Sequence, residues 1–391
     1  MANQFPRSEY VGIDLSAVQI AAAQSTIEAL QLDNVRLLHV DLRSLPVDLG
    51  VFDYVIAHGV YSWVSDETQH ALLKLCSQRL TPHGVAYVSY NTYPGWHMRG
   101  MIRDMMSYRV RSIESPIQQI HEARALLRFL AESLDPQQSP YGMLLHNELE
   151  TLKFQDDSYL FHEHLEEHNA PVYFYEFAER ANAVGLQYLG EEPFSLMFVE
   201  TFSERVESVL RGIASTLVEA EQYMDFVRNR MFRQTLLCRQ EIVLDRSNDS
   251  KASGTADAKQ KFTLLAESLL GCCANGHIDL SIAPPQFETE VNEKPMASKL
   301  ARYQATKQTV ATNQLHVDIQ LHEHERCLLC KLDGQHNTSS LVDHLVSLIK
   351  DGTLRLTNEQ SLAEHSQEIR QAAKLATRAA LNRFAECGLL V

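Results

Sequence analysis

Positive charge is scarce in this chain: 35 Lys and Arg stand against 50 Asp and Glu, a formal net charge of −15. A general nucleic-acid binder shows a basic face, so that class is disfavoured. Attraction to an anionic membrane surface is disfavoured for the same reason. Long apolar runs are missing too. No stretch approaches the roughly 18–20 apolar residues of a membrane span. The N-terminus lacks the basic, apolar and small-residue sections of a signal peptide. Cysteine is sparse and odd in number, at seven, with no framework spacing. Reduced thiols in a cytoplasm are expected. Apolar residues are ample for real cores, and 391 residues should hold two or three domains.

Glycine is missing where a nucleotide-binding chain needs it. The segment YVGIDLS at 10–16 reads as a buried parallel strand ending in Asp14, with a helix capped by Ser16. In nucleoside-binding α/β folds such an Asp tips the second strand and accepts hydrogen bonds from both ribose hydroxyls. A first strand with a glycine-rich turn comes before it in those folds. The residues before Asp14 hold no Gly-x-Gly, so the chain is expected to begin inside its own fold.

Strand and helix then alternate to residue 91, which predicts a parallel sheet with right-handed crossovers. Strands are expected at Tyr10–Asp14, Val35–Val40, Phe52–Ala57 and Val85–Tyr90. Helices are expected at Ala17–Leu30, with amphipathic spacing, and at Asp66–Leu80, stopped by the turn Thr81–Gly84. Residues 99–170 read as helices broken near Ser115-Pro116 and Asp135–Pro140. Leu186–Gly190 and Phe194–Val199 look like a return to strand, and Glu204–Thr235 like a helical run. Arg246–Gln260 is the best linker candidate, and Phe262–Ala311 is weakly patterned. Leu315–Val391 should hold a short strand and helices near Glu323–Leu332, Ser339–Lys350 and Gln367–Glu386.

The segments YVGIDLS (10–16), HVDL (39–42), FDYVIAHGVYSW (52–63), YVSYNTYPGWHMR (87–99) and SYLFHEHLEEHNAPVYF (158–174) together resemble a family. It is the class I methyltransferases that use S-adenosylmethionine (SAM), in the subfamily with a methyltransferase regulatory domain that includes bacterial protein-lysine methyltransferases. The resemblance implies an α/β fold: a Rossmann-like class I sheet, incomplete because its first strand is missing, with a helical regulatory insert and an α-rich winged-helix-like C-terminal region. The implied domains are a partial methyltransferase domain at 1–98 with return strands near 172–200, a regulatory domain at 99–200, a helical or linker region at 201–314 and the winged-helix-like domain at 315–391. A sheet without its central first strand would expose two apolar parallel edges. Without the glycine-rich loop SAM would lose the cradle for its methionine end.

The implied cofactor is SAM, with Asp14 and Leu15 at its ribose, Asp41 and Leu42 at its adenine, and His58 lining its pocket. The implied acceptor is a protein lysine. A homodimer is left open, and nucleic acid and a membrane span are not expected as partners. Methyl transfer is an in-line displacement that needs alignment, excluded water and a neutral nucleophile. Tyr61, Tyr90, Tyr93 and His97 are the candidate catalytic residues, because an alkylammonium must lose a proton before attack. Trp63, Asn91 and Trp96 are candidate substrate-binding residues, since aromatic faces hold cations. The alternative, motivated by the absent loop, is a non-catalytic interaction or regulatory remnant of a methyltransferase. DNA reading is disfavoured because Ser339–Lys350 carries little basic charge.

Several motifs invite a metal reading. His164-Leu-Glu-Glu-His168 fits an inverted zinc-hydrolase spacing, but it looks like an acidic surface run without a third ligand. Cys327 and Cys330, with His322 and His324, could form half a zinc site, but no second Cys pair stands at the right spacing. They read instead as an ordinary helix and its stop. Cys272 and Cys273 read as packing. No metal is expected.

Overall fold

A computed structural model describes residues 1–3, 5–244, 287–315, 317–354 and 366–391. The expected linker at 246–260 and the Cys272-Cys273 pair lie outside the described residues. The chain divides into two compact units, one of residues 1–41 and 281–391, the other of residues 42–280.

In the first unit, β1 (Tyr10–Asp14) and β2 (Val35–His39) form a two-stranded parallel sheet joined by helix α1 (Ala17–Leu30). The Ser16 hydroxyl accepts the Gln19 N–H and starts α1, as its residue type predicts. Gln31, with φ +56°, ends it. Among the described residues no strand precedes β1, and β1 pairs with β2 alone. A two-stranded sheet has little face to cover, so α1 buries only Leu30 and leaves Val18 77 % exposed. The rest of this unit packs helices α10 (Lys299–Lys307), α11 (Glu323–Leu329), α12 (Thr338–Lys350) and α13 (Ser366–Glu386) with the hairpin pair β7 (Val310–Thr312) and β8 (Asp318–Gln320). Leu328, Leu329, Leu341, Leu345 and Phe384 form its core.

The second unit is built on a four-stranded mixed sheet. Its strands are β3 (Phe52–Ala57), β4 (Leu80–Asn91), β5 (Leu186–Glu191) and β6 (Phe232–Arg239), in the order β3-β4-β6-β5. β3 and β4 are parallel, joined through α2 (Asp66–Arg79), whose Ser65 cap accepts the Thr68 N–H. β6 runs antiparallel to both neighbours. Tyr61, Leu73, Cys76, Val88, Tyr90 and Phe177 fill the core against this sheet. Between β4 and β5 comes a helical region: α3 (Trp96–Val110), α4 (Pro116–Glu132), α5 (Pro140–Lys153), α6 (Asp157–Leu160), a π turn at Phe161–Leu165, and α7 (Phe174–Ala183). Ile102, Met106, Leu127, Leu145 and Leu160 give it a core of its own. α8 (Glu204–Ile213) and α9 (Leu217–Arg228) lead into β6.

Four expectations are corrected. The helix does stop before Thr81–Gly84, at Arg79, but the strand expected at Val85–Tyr90 begins already at Leu80 and takes that segment in; Gly84 belongs there because a Cβ would come within 3.0 Å of the Phe52 carbonyl oxygen. Phe194–Val199 is not a strand but short 3₁₀ turns at Phe194–Met197 and Val199–Thr201. The helical run expected to Thr235 stops at Asn229, which takes φ +50° and caps α9. The chain then becomes β6, whose residues alternate between core and surface with Arg233 on the buried side. Last, the run at His164–His168 is not all surface. His164 is fully buried, its Nε2 2.9 Å from Glu148 Oε1, and Arg99 binds both Glu148 and Glu163.

Burial alone would raise the Glu148 carboxyl, but the His164 hydrogen bond and Arg99 outweigh it and hold it below the ordinary range. A depressed carboxyl stabilises the fold above its unfolded value, and that stability is lost as pH falls through the folded value. Glu148→Gln is therefore expected to cost about 1–3 kcal/mol at pH 7. The deficit should shrink below the ordinary glutamate range. Urea unfolding of both proteins at pH 7 and in acid checks it, and a deficit independent of pH contradicts it.

Candidate functional site

Asp14 ends β1 at its carboxyl end and is exposed. Its Oδ1 accepts the Ser16 N–H at 2.7 Å, which fixes the turn into α1, and its Oδ2 has no described partner. The carboxylate is thus oriented with one acceptor oxygen open. Leu15 is 67 % exposed, and its carbonyl oxygen accepts from His39 Nε2 at 2.9 Å. Asp41 follows β2 and is half-buried. These three residues belong to the first unit.

Leu42 and His58 belong to the second unit. Leu42 packs against the sheet core. His58 follows β3 and is exposed; its Nδ1 lies 2.9 Å from the Tyr87 hydroxyl and 3.3 Å from Ser89 Oγ. Ser89 Oγ also accepts the N–H of Gly59, which sits at φ +66°. Gln234 Nε2 donates to the Tyr87 hydroxyl at 2.9 Å. The imidazole is held by its Nδ1, and its Nε2 has no described partner.

The aromatic residues expected after β3 and β4 divide into two sets. Tyr61 and Tyr90 are packing residues in this fold, fully buried against Phe177, with ring centroids 5.2 Å and 4.1 Å from it. Burial pushes both phenols up, with an Arg180 hydrogen bond opposing at Tyr61. The Tyr90 hydroxyl is committed to Thr235 Oγ1 at 3.0 Å. Asn91 is also buried, its backbone N–H donated to Ser62 Oγ, but its Nδ2 has no partner. Trp96 is 4 % exposed, edge-on to Trp63 at 6.4 Å, with the Arg99 guanidinium 5.5 Å from its ring. Trp63 also faces His162 at 4.2 Å.

Tyr93 and His97 are the accessible set. Their rings stack at 4.0 Å and 16°, and Tyr93 lies 5.2 Å from Tyr173. His97 Nε2 is 3.3 Å from the Tyr173 hydroxyl. The ladder continues to Tyr175 at 5.7 Å and Phe226 at 6.0 Å from Tyr173. It starts where it does because Gly95 lets the chain approach 229–231 closely: a Cβ there would meet the Asn229 carbonyl oxygen at 2.4 Å. Burial, then Tyr173, Glu176 and Asp104, push the Tyr93 phenol up, so it is a neutral hydroxyl near pH 7. Tyr93, Trp96 and His97 line a cleft of about 460 Å³ with α3 residues Arg103 and Asp104 and with Asn169 and Pro171.

Sequence reasoning missed Tyr173, Tyr175 and Phe226, although the dense aromatics of YFYEF at 173–177 were a signal. It also missed Arg103 and Asn169, for which no sequence signal existed. At the two spacings that invite a metal reading, His164 Nε2 is tied to Glu148, and burial pushes the Cys327 and Cys330 thiols up. Among the described residues no group of three or more His, Cys, Asp or Glu is placed to hold a metal ion. No described helix is long and apolar enough to cross a membrane.

Residues 1–84 match the family model of a methyltransferase domain, residues 156–239 that of a predicted methyltransferase regulatory domain, and residues 293–389 that of the PKMT C-terminal winged helix domain. An uncharacterized protein of Rickettsia prowazekii (strain Madrid E), RP789, is 29 % identical over 463 residues, covering 99 % of this chain and 83 % of that protein. A second from the same organism, RP028, is 37 % identical over 196 residues, covering 50 % of this chain and 75 % of that protein. The solved structure of PKMT2 from Rickettsia typhi is 28 % identical with a TM-score of 0.82, covering 100 % of this chain and 90 % of that one; a second structure of that protein is a complex with AdoHcy.

Proposed function

We propose that this chain, which belongs to the methyltransferase family carrying a regulatory domain and a PKMT C-terminal winged helix, transfers a methyl group from SAM to a lysine amine of a protein. PKMT2, its structural relative, was solved with AdoHcy, and this supports SAM as the cofactor here. The residues present fit the nucleoside end of that group. Asp14 is exposed at a strand's carboxyl end with an oriented carboxylate and one open oxygen, the acceptor that ribose hydroxyls need. The fit described is that of the nucleoside end. When bound, SAM supplies an electrophilic methyl group on a sulfonium.

One observation carries the lysine reading: the accessible ladder of Tyr93, His97 and Tyr173 beside the Asp104 and Glu176 carboxylates. Aromatic faces and carboxylates together favour a cationic alkyl amine. The amine must become neutral before attack, and the His97 imidazole, held by the Tyr173 hydroxyl, is the proton acceptor within that ladder. Tyr93 remains protonated and serves as a face and a donor. Buried Trp96 lines the cleft beside Tyr93 and His97 and helps to exclude water there. The cytoplasm, where thiols stay reduced, is the compartment this reading takes.

Incubation with methyl-tritiated SAM and lysine-containing protein tests it. Label on lysine is expected, and label on no protein sinks the reading. His97→Ala should lower kcat/KM by about 10²-fold or more through proton transfer. Tyr93→Ala should act mainly on the KM of the acceptor, by about 3–10-fold from one aromatic face. Equal effects of both variants on kcat alone contradict these roles.

A further inference from the structure

The cleft beside the aromatic ladder carries a feature that lysine recognition does not use. Asn169 and Arg103 both line it. The Asn169 side chain has neither Oδ1 nor Nδ2 paired, and Arg103 has no partner for Nη1. The other terminal nitrogen of Arg103 donates to the Glu166 carbonyl oxygen, so the guanidinium is anchored against the segment that carries Asn169. Three shielded polar atoms on two lining residues carry a desolvation cost that nothing in the chain offsets. Such atoms take their partners from outside the chain, from ordered water or a ligand.

We infer that this cleft binds the acceptor as an extended peptide, with the Asn169 amide pairing with one main-chain unit and Arg103 donating to a neighbouring main-chain carbonyl. The inference rests on the lysine reading above and names how its substrate is held. A primary amide offers one acceptor and two donors, the complement of a peptide C=O and N–H. Asn169 is itself half-exposed and lines the cleft, and peptide binding requires its amide to turn about χ1 toward the main chain. The volume, about 460 Å³, falls within the range of roughly 300–1,000 Å³ found for ligand clefts. Tyr93 and His97 then face the lysine side chain, and Asp104 lies at the same cleft for a cationic amine. Main-chain recognition makes the site tolerant of flanking sequence, because only the lysine side chain is read.

The test uses the full chain and a fluorescent seven-residue peptide with one central lysine among alanines. A second peptide of the same sequence is N-methylated in turn at each main-chain amide. Wild type should bind the first peptide saturably. Asn169→Ala should weaken binding about 10-fold, since each tenfold is about 1.4 kcal/mol and two neutral hydrogen bonds are lost. One N-methylated peptide should bind wild type about as weakly, and Asn169→Ala should cost that peptide little more. Free lysine amide should not sense the substitution. The melting temperature should hold, because Asn169 bonds to nothing in the fold, whereas a lowered one assigns the amide to a structural water and overturns the proposal. Equal peptide affinity for wild type and variant overturns it, as does no binding to wild type. AdoHcy titration of the same samples separates the claims: AdoHcy binding without peptide binding sinks the cleft assignment and leaves methyl transfer standing. Asn169-dependent peptide binding without AdoHcy binding does the reverse.

Discussion

Arg233→Ala is expected to lower the free energy of unfolding by about 3–5 kcal/mol, the cost of breaking a buried ion cluster by deleting one partner. Arg233 is fully buried on β6. Its Nε donates to Asp225 Oδ2 at 2.8 Å, its Nη1 to Glu191 Oε1 at 2.8 Å, and its Nη2 to Glu221 Oε2 at 3.0 Å and Asp225 Oδ1 at 2.9 Å. Its guanidinium also lies 3.8 Å from the Phe174 ring centroid. One side chain therefore ties β6 to β5 and α9. Deleting it leaves three carboxylates in the interior with Arg230 as the nearest cation, 2.7 Å from Glu191. Lysine cannot replace it, because an ammonium lacks the planar fork that reaches three carboxylates at once.

The pH dependence follows from the same cluster. Burial pushes the Glu221 and Asp225 carboxyls up, with Arg233 opposing. A raised carboxyl contributes stability fully below its unfolded value and loses it as pH rises through the folded value. The Arg233→Ala deficit should accordingly be smallest in acid and grow above the ordinary carboxylate range. Glu221→Gln should be neutral or stabilising in that upper range, since Glu221 Oε1 has no partner to lose. Urea unfolding across the pH range decides both. A deficit under about 1 kcal/mol for Arg233→Ala would place the cluster among ion pairs that add little. The cluster also supports the site: Glu191 accepts from Thr235 Oγ1, which meets the Tyr90 hydroxyl on β4, and β4 delivers Tyr93 and His97.

Asp14→Asn should weaken SAM binding by about 1.5–3 kcal/mol, the worth of hydrogen bonds to a charged acceptor, or roughly 10–150-fold. Asparagine keeps an oxygen for the Ser16 N–H, so the start of α1 survives. Asp14→Ala removes that bond too and should cost about 1 kcal/mol of stability as well. Calorimetric titration of wild type and both variants measures the affinities, and thermal unfolding measures the local cost. Wild-type affinity in Asp14→Asn would remove Asp14 from the cofactor site.

Local patterns made much of this fold legible. β1, β3 and α1 fall on the expected residues because alternating apolar runs and the Ser16 cap act over a few positions. β6 was hidden by its own centre: Arg233 on a core-facing position contradicts an apolar strand, and only Glu191, 42 residues away, and the acids of α9 reconcile it. His164 was hidden likewise, since its partner Glu148 lies on α5 and Arg99 on α3. At the site, Tyr93, Trp96 and His97 were legible as neighbours in one motif. Tyr90 belongs to that motif and Tyr61 to the segment 52–63, but strand alternation and the turn after β3 send them into the core. Asn169 joins the cleft, and Tyr173 the ladder beside it, through a contact about 80 residues long in sequence, the bridge between Thr92 and Val172, which no local pattern announces.

SAM-dependent methyl transfer requires first that the cofactor bind. Isothermal titration of the folded full chain with SAM measures this. A saturable one-site isotherm that Asp14→Asn weakens is expected. No detectable heat at millimolar SAM, on protein shown to be folded, would contradict it.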